Sequence, residues 1–362
     1  RLPLSDFNQI VALHDFDMRV KALLYERIMT VETALKNRVL EAVLDHSGSE
    51  HFDVIYKNFV QTSVQRGKKS YEKALQALGN DGRKEIVGDN YMDIKDNKYG
   101  NNVLLTSEAA TGTMQAGIIG GKRDNGLGGN GIMDEAEIMC LRVSGGAGEP
   151  YLKDMALAIR YAVDHGADVI VLPQQNTLYP EDQKVWMNEA IRYAESKESL
   201  VIVPVWELAY DLSKVEFFPN RWMDGSKELT NLMVIASSDK NGNPSMNSNY
   251  GAKELDLFAP GMDIYAAYMG DTYKTGTGAG LASATVAGVA ALVKAYYPNL
   301  TGAQIREILL ETVTSRRGVE IEKGIVVNGK RAQDLFLFDD LCLSGGIVNA
   351  YQAVVAADKR SK

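Results

Sequence analysis

The 362-residue chain has room for one large α/β domain with an appendage, or for two domains, and for a sizeable core. Its 45% hydrophobic and 24% charged residues exclude a wholly disordered or fibrous chain, and its two cysteines exclude a disulfide scaffold or a four-cysteine zinc site. No unbroken apolar run approaches the length of about 18 residues that a transmembrane helix needs, so none is expected. The net charge of −8 is uneven: residues 1–88 carry 13 Lys and Arg against 12 Asp and Glu, residues 89–362 carry 26 against 35. An acidic main body repels phosphate backbones, and no nucleic-acid partner is expected.

Residues 1–80 read as a helical module. Val20, Leu23, Leu24, Ile28, Val31, Leu35, Val39 and Val43 recur at spacings of three and four, the period of an amphipathic helix. A second helix is expected over Tyr71–Leu78, closed by Gly79-Asn80-Asp81-Gly82. The texture then changes. The apolar run Ile138–Val143 predicts a buried strand holding Cys140. Leu152–His165 predicts a helix stopped by Gly166, followed at once by a strand over Val169–Leu172. A helix over Trp186–Ser196 leads into a strand over Leu200–Val205, and Leu232–Ser237 is a third apolar strand. The small-residue stretch Ala282–Tyr297 predicts an almost entirely buried helix, and Thr301 with Gln304 forms a capping box opening the next one, to about Val313. Helix and strand alternating at these lengths imply βαβ units and a mostly parallel sheet. Both Cys140 and Cys342 are expected to be reduced and buried.

The segment Gly278-Ala279-Gly280-Leu281-Ala282-Ser283-Ala284-Thr285-Val286-Ala287-Gly288 resembles the subtilase signature Gly-Thr-Ser-Met-Ala-Ser-Pro-x-Val-Ala-Gly. Upstream, Thr111-Gly112-Thr113-Met114-Gln115-Ala116-Gly117 resembles that family's His-Gly-Thr-His-Val-Ala-Gly. Ser248-Asn249-Tyr250-Gly251, Leu257-Phe258-Ala259-Pro260-Gly261 and Ser344-Gly345-Gly346-Ile347-Val348-Asn349-Ala350 match three more of its segments, in its order. The resemblance covers about residues 85–355. It implies a subtilisin-like three-layer α/β/α domain with a mostly parallel sheet, preceded by the helical module of residues 1–80.

The chemistry departs from that pattern. A serine peptidase needs a hydroxyl nucleophile, a histidine base, a carboxylate that orients the histidine, and donors for the oxyanion. The match puts Gly280 at the nucleophile and Thr111 at the base, leaving neither attack nor proton transfer. It puts Glu207 where the family has the oxyanion-hole asparagine, so negative charge replaces a donor. At the substrate groove, Pro173, Gln174 and Gln175 replace Ser-x-Gly, and Pro173 cannot donate to an added peptide strand. No Val-x-Asp-x-Gly stretch precedes Thr111, so the strand with the orienting aspartate is expected upstream of Arg1 or not at all. Ser283, the nearest serine to Gly280, matches the family's helix serine; of the histidines, His14, His46 and His51 fall outside the match and His165 ends a helix.

The start of the chain, from Phe16-Asp17 through Leu23-Leu24, Glu26-Arg27-Ile28 and Leu35-Lys36-Asn37-Arg38, resembles the Abi-like proteins of phage abortive infection. The Arg-x(4–6)-His motif of the helical ribonucleases among them is not met, because seven residues separate Arg38 from His46. Arg160 and His165 fit the spacing but fall in the subtilase-like body. Asp124–Asn130 lacks side-chain ligands at the third and fifth positions of a calcium loop and reads as a turn-rich connector. Subtilases often bind structural calcium; no residue set here fixes a site, and no cofactor is expected. Three functions stay open: a degenerate pseudopeptidase that binds a peptide or protein partner, an active serine endopeptidase with a displaced or incomplete triad, and a phage-defence or RNA role through the helical module. An exported or envelope setting follows from the resemblance alone.

Overall fold

The computed structural model describes residues 87–361, except 105–108, 134, 145–149, 174, 177–178, 224–226 and 328. The chain divides into two units, Arg1–Leu78 and Gly79–Lys362. The helices expected before residue 80 lie outside the described residues. Within the second unit the elements run α1 (Ala110–Gly120), α2 (Leu152–Asp164), β1 (Val169–Val171), α3 (Glu181–Ser196), β2 (Leu200–Pro204), the small hairpin β3 (Trp222–Met223) and β4 (Lys227–Glu228), β5 (Leu232–Ser238) and β6 (Leu257–Pro260). They continue through the hairpin β7 (Ile264–Tyr268) and β8 (Thr272–Gly276), α4 (Ala279–Tyr296), α5 (Gly302–Glu311), β9 (Thr314–Ser315), the hairpin β10 (Glu320–Val327) and β11 (Lys330–Leu337), β12 (Gly346–Ile347) and α6 (Ala350–Arg360).

Six strands form one sheet in the order β1-β2-β5-β6-β12-β9. All neighbours are parallel except β12 and β9. Strands β2 and β5 are buried at every position, and apolar but for Ser237 and Ser238, because both faces are covered. Alternation sorts them. Val201 and Val203 of β2 and Val234 and Ala236 of β5 meet α2 and α3 on one face, while Leu200, Ile202, Met233 and Ile235 meet α4, α5 and α6 on the other. On α2 the inward stripe is Leu152, Met155, Ala156, Ile159, Ala162 and Val163, the spacing that a helix with one buried face requires.

The helix at the heart of the second layer, α4, is long and apolar enough to cross a membrane, yet most of it is core of this domain. Its small residues permit close approach. A Cβ on Gly288 would stand 2.8 Å from Cβ of Ile132, inside any tolerable contact. Gly288→Leu is therefore expected to destabilise the domain by about 1–3 kcal/mol through overpacking, read as a lowered melting temperature. The expectation of near-complete burial holds as far as Val293; beyond it Ala295 and Tyr296 emerge into solvent, Tyr296 at 67% exposure.

Thr301 and Gln304 do form the capping box: Gln304 N–H donates to Thr301 Oγ1 at 3.2 Å, and Thr301 N–H to Gln304 Oε1 at 2.9 Å. Two expectations fail together. Residues 138–143 form no strand, and Ile138, Met139 and Leu141 are exposed, as is Cys140. The reason lies at the sheet edge. Leu172 N–H donates to Ile202 O and Leu200 N–H to Asp168 O, so Asp168, Ile170 and Leu172 spend their backbone groups on β2. Val169 and Val171 turn theirs the other way, and among the described residues no strand meets them. Residues 138–143 line the cleft beside that edge but make no ladder with it, and the apolar run is left in solvent. Cys342 is buried and free, as expected, and burial pushes its thiol pKa up.

Two charged clusters lie inside the domain. Lys153 donates to Asp89 at 2.6 Å and to Asn90 O at 2.7 Å, both charged side chains being fully buried. Asp256, also fully buried, accepts from Arg306 Nη2 at 2.7 Å and from Val234 N–H at 2.7 Å, and pairs with Arg221 Nη1 at 3.2 Å. Arg221 donates further to Lys253 O and to Glu228 at 3.1 Å. The network ties α5, β6 and the β3–β4 hairpin to the sheet.

Candidate functional site

The whole length of β1, the carboxyl end of β2, α1, parts of α4 from its first turn to its last, and residues 136–144 line one cleft of about 2020 Å³. It takes in the carboxyl ends of the strands, where open parallel sheets place their ligand crevice. Thr111, Pro173, Glu207 and Gly280 all belong to its lining.

Gly280 occupies the first turn of α4, and a Cβ built there would lie 3.6 Å from Thr111 Cγ2 and 3.5 Å from Gln115 Nε2. Gln115 Nε2 donates to Gly280 O at 2.9 Å. The two positions that the resemblance matches to nucleophile and base are thus neighbours. Ser283, the nearest serine in sequence, is fully buried on α4 and its hydroxyl has no hydrogen-bond partner among the described residues.

Glu207 follows β2 and is half-buried in the cleft wall beside Trp206. Its Oε1 accepts from Ser237 Oγ of β5 at 2.7 Å, which fixes the carboxylate in place. A fixed negative charge raises the energy of an oxyanion formed nearby.

The three groove positions are separated by the structure. Pro173 lines the cleft, Gln174 lies outside the described residues, and Gln175 turns inward. Gln175 N–H donates to Pro204 O at 3.0 Å and its Nε2 to Pro219 O at 2.7 Å, so the residue serves β2 and the loop beyond it. His165 caps α2, its Nδ1 2.8 Å from Tyr161 O and its ring stacked on Tyr161 at 3.9 Å, the structural position expected of it. Asp124–Asn130 is an exposed run of bends held by Asn125 and Asn130 side chains, and among the described residues no group of three or more His, Cys, Asp or Glu could hold a metal.

One group the sequence did not single out is Lys323 on β10. It is fully buried and donates to Met246 O at 3.1 Å, Ser248 O at 2.5 Å and Gly324 O at 3.4 Å, with the Tyr250 ring centroid 5.3 Å away. Burial pushes its pKa down to about 7, against the opposing pull of Glu207. A lysine inside alternating Glu320–Val327 looks like any strand lysine until the hairpin folds back over Ser248 and Tyr250. No local signal marks it.

The subtilase family model matches residues 83–329, more than half of the sequence, and the chain belongs to that family. A second model, Abi-like protein, matches residues 3–117 and overlaps the first over 83–117. Subtilisin Savinase of Lederbergia lenta is 30% identical over 222 residues, 61% of this chain and 76% of that protein. The alkaline protease of Alkalihalobacillus alcalophilus is also 30% identical over 222 residues, but the match spans 54% of its length. Among solved structures, a protease from Pseudoalteromonas arctica PAMC 21717 aligns over 68% of this chain and 70% of that one, with a TM-score of 0.53 and 26% identity. The prenylagaramide maturation protease PagA aligns over 68% and 82%, with a TM-score of 0.54 and 22% identity, a likeness of fold.

Proposed function

We propose that this subtilase-family chain has lost peptide cleavage and keeps the cleft as a binding or regulatory scaffold for a peptide or protein partner, in an exported setting. The observation that supports the proposal is the nearness of Gly280 and Thr111, where a Cβ on Gly280 would lie 3.6 Å from Thr111 Cγ2: on the family resemblance these are the nucleophile and base positions, and glycine and threonine supply neither group. Glu207, pinned by Ser237, adds repulsion where a peptidase needs a donor. Pro173 removes a backbone donor from the groove wall.

Restoring the two missing side chains tests this. The Gly280→Ser, Thr111→His double variant is expected to hydrolyse a peptide p-nitroanilide no faster than the parent. Loss of one oxyanion donor alone costs about 10²–10³ in rate, and loss of the orienting carboxylate about 10⁴, although such losses do not simply multiply. The parent is expected to take no label from a fluorophosphonate probe. A labelled serine, or hydrolysis by the parent that one Ser→Ala change abolishes, makes the chain an active serine endopeptidase instead.

A further inference from the structure

The charge balance of the cleft goes beyond the loss of catalysis. Its acidic lining residues are Glu137, Asp168 and Glu207, and its basic ones Arg142, His165 and Lys294. Asp168 is paired with Lys294 at 3.6 Å, and His165 is engaged by Tyr161. Arg142 directs its guanidinium to Ser144 O at 3.1 Å and Val103 O at 3.5 Å on the outer wall. Glu207 makes no ion pair among the described residues; Ser237 engages Oε1, and Oε2 makes no hydrogen bond there. Lys323 stands behind the wall, its ammonium already spent on three carbonyl oxygens. Beside Glu207, Trp206 lines the cleft, its ring held edge-on against Phe217 at 6.3 Å. Glu207 and Trp206, consecutive residues of the cleft lining, bring a positioned carboxylate and an indole to a cleft that is also lined by Met155, Ile159, Ala287 and Leu281, and these are the groups that recognise an organic cation.

We infer that the cleft binds a small organic ammonium ion, with Glu207 as its counter-charge and Trp206 as the ring that covers it. This rests on the scaffold reading only in needing the cleft to be free of catalytic turnover. The substitution that removes an oxyanion donor thereby inverts the site's preference, from an oxygen bearing negative charge to a nitrogen bearing positive charge. A free cation and a lysine side chain of a peptide share this chemistry.

Isothermal titration of the full chain with benzyltrimethylammonium, benzyl alcohol and phenylacetate tests the inference, since the three share an aromatic body and differ in charge. The cation is expected to bind at least tenfold more tightly than the other two. Glu207→Gln is expected to remove that preference while leaving the benzyl alcohol affinity unchanged. Thr111→Glu, at an exposed position of the same cleft lining, is expected to strengthen cation binding, and guards against a folding defect in the first variant. Equal affinities for the three probes, or an unaltered cation affinity in Glu207→Gln, overturns the inference. Competition by a lysine-containing pentapeptide and by its ε-acetylated form then assigns the source: displacement of the probe by the first alone points to a lysine side chain, and displacement by neither points to a free cation. Peptidase activity plays no part in these readouts, so failure here and failure of the scaffold reading are seen separately.

Discussion

Asp256→Ala is expected to lower the unfolding free energy by about 3–5 kcal/mol, measured by urea titration near neutral pH. The carboxylate is fully buried and answers two guanidinium groups, Arg306 at 2.7 Å and Arg221 at 3.2 Å, as well as Val234 N–H at 2.7 Å. Both arginines are themselves buried, and Nε of each is already without a partner among the described residues. Removing the acid leaves positive charge in the interior with Glu228 as the remaining carboxylate near both. An orphaned buried charge costs far more than the pair contributes. Replacing all three residues together, Asp256→Leu with Arg221→Met and Arg306→Met, is expected to recover most of the loss. If the single variant unfolds at the parent's urea midpoint, the network is not built as described.

The stability of the domain is expected to rise with pH between about 7 and 9, and Lys323→Met is expected to abolish that rise. Lys323 has a folded-state pKa of about 7 because burial penalises its charged form, against 10.5 for the ordinary side chain. Across that window the unfolded chain holds a proton that the folded chain has released, so raising the pH favours folding. With about 1.4 kcal/mol per pKa unit, the gain between pH 7 and 9 is about 2 kcal/mol. The groups facing Lys323 are Glu207, Tyr250 and, opposite it on β11, Asp334; Asp211 and Lys214 act on Tyr250. Tyr250, whose pKa burial raises above 10.0, stays neutral in this range and does not contribute. Denaturant unfolding of parent and variant at pH 7, 8 and 9 decides it, a flat parent profile being the contrary result.

The parts of the fold that repeat a local period were legible. Leu200–Pro204 and Leu232–Ser238 announce themselves because strands buried on both faces read as near-continuous apolar runs, and α2 because its inward stripe is spaced for one buried face. The positions of Gly280 and Thr111 were legible as well, since both stand in segments whose neighbours resemble the family's, and the fold brings the two together. What escaped depends on contacts distant in sequence. Asp256 and Arg306 are 50 residues apart, and Lys323 and Ser248 are 75 apart. The hairpin of β10 and β11 follows α5 where no turn signal was read, so its burial of Lys323 went unseen. The strand expected over residues 138–143 failed for the complementary reason. Apolar composition makes a segment fit to be a strand, but only a neighbouring edge makes it one.

Among the described residues no strand covers the outer edge of β1, and an edge so left carries a liability in crowded solution. Parallel strands normally hide their backbone groups, and an exposed edge can template the addition of a foreign strand. Val169 and Val171 offer such a template across the cleft from exposed Ile138, Met139 and Leu141, which supply adhesive side chains beside it. Glu137 and Arg142, flanking that apolar run, are the charges that act as gatekeepers against strand-by-strand aggregation. The cost of an opened cleft is thus borne in solubility, and two surface charges hold it in check.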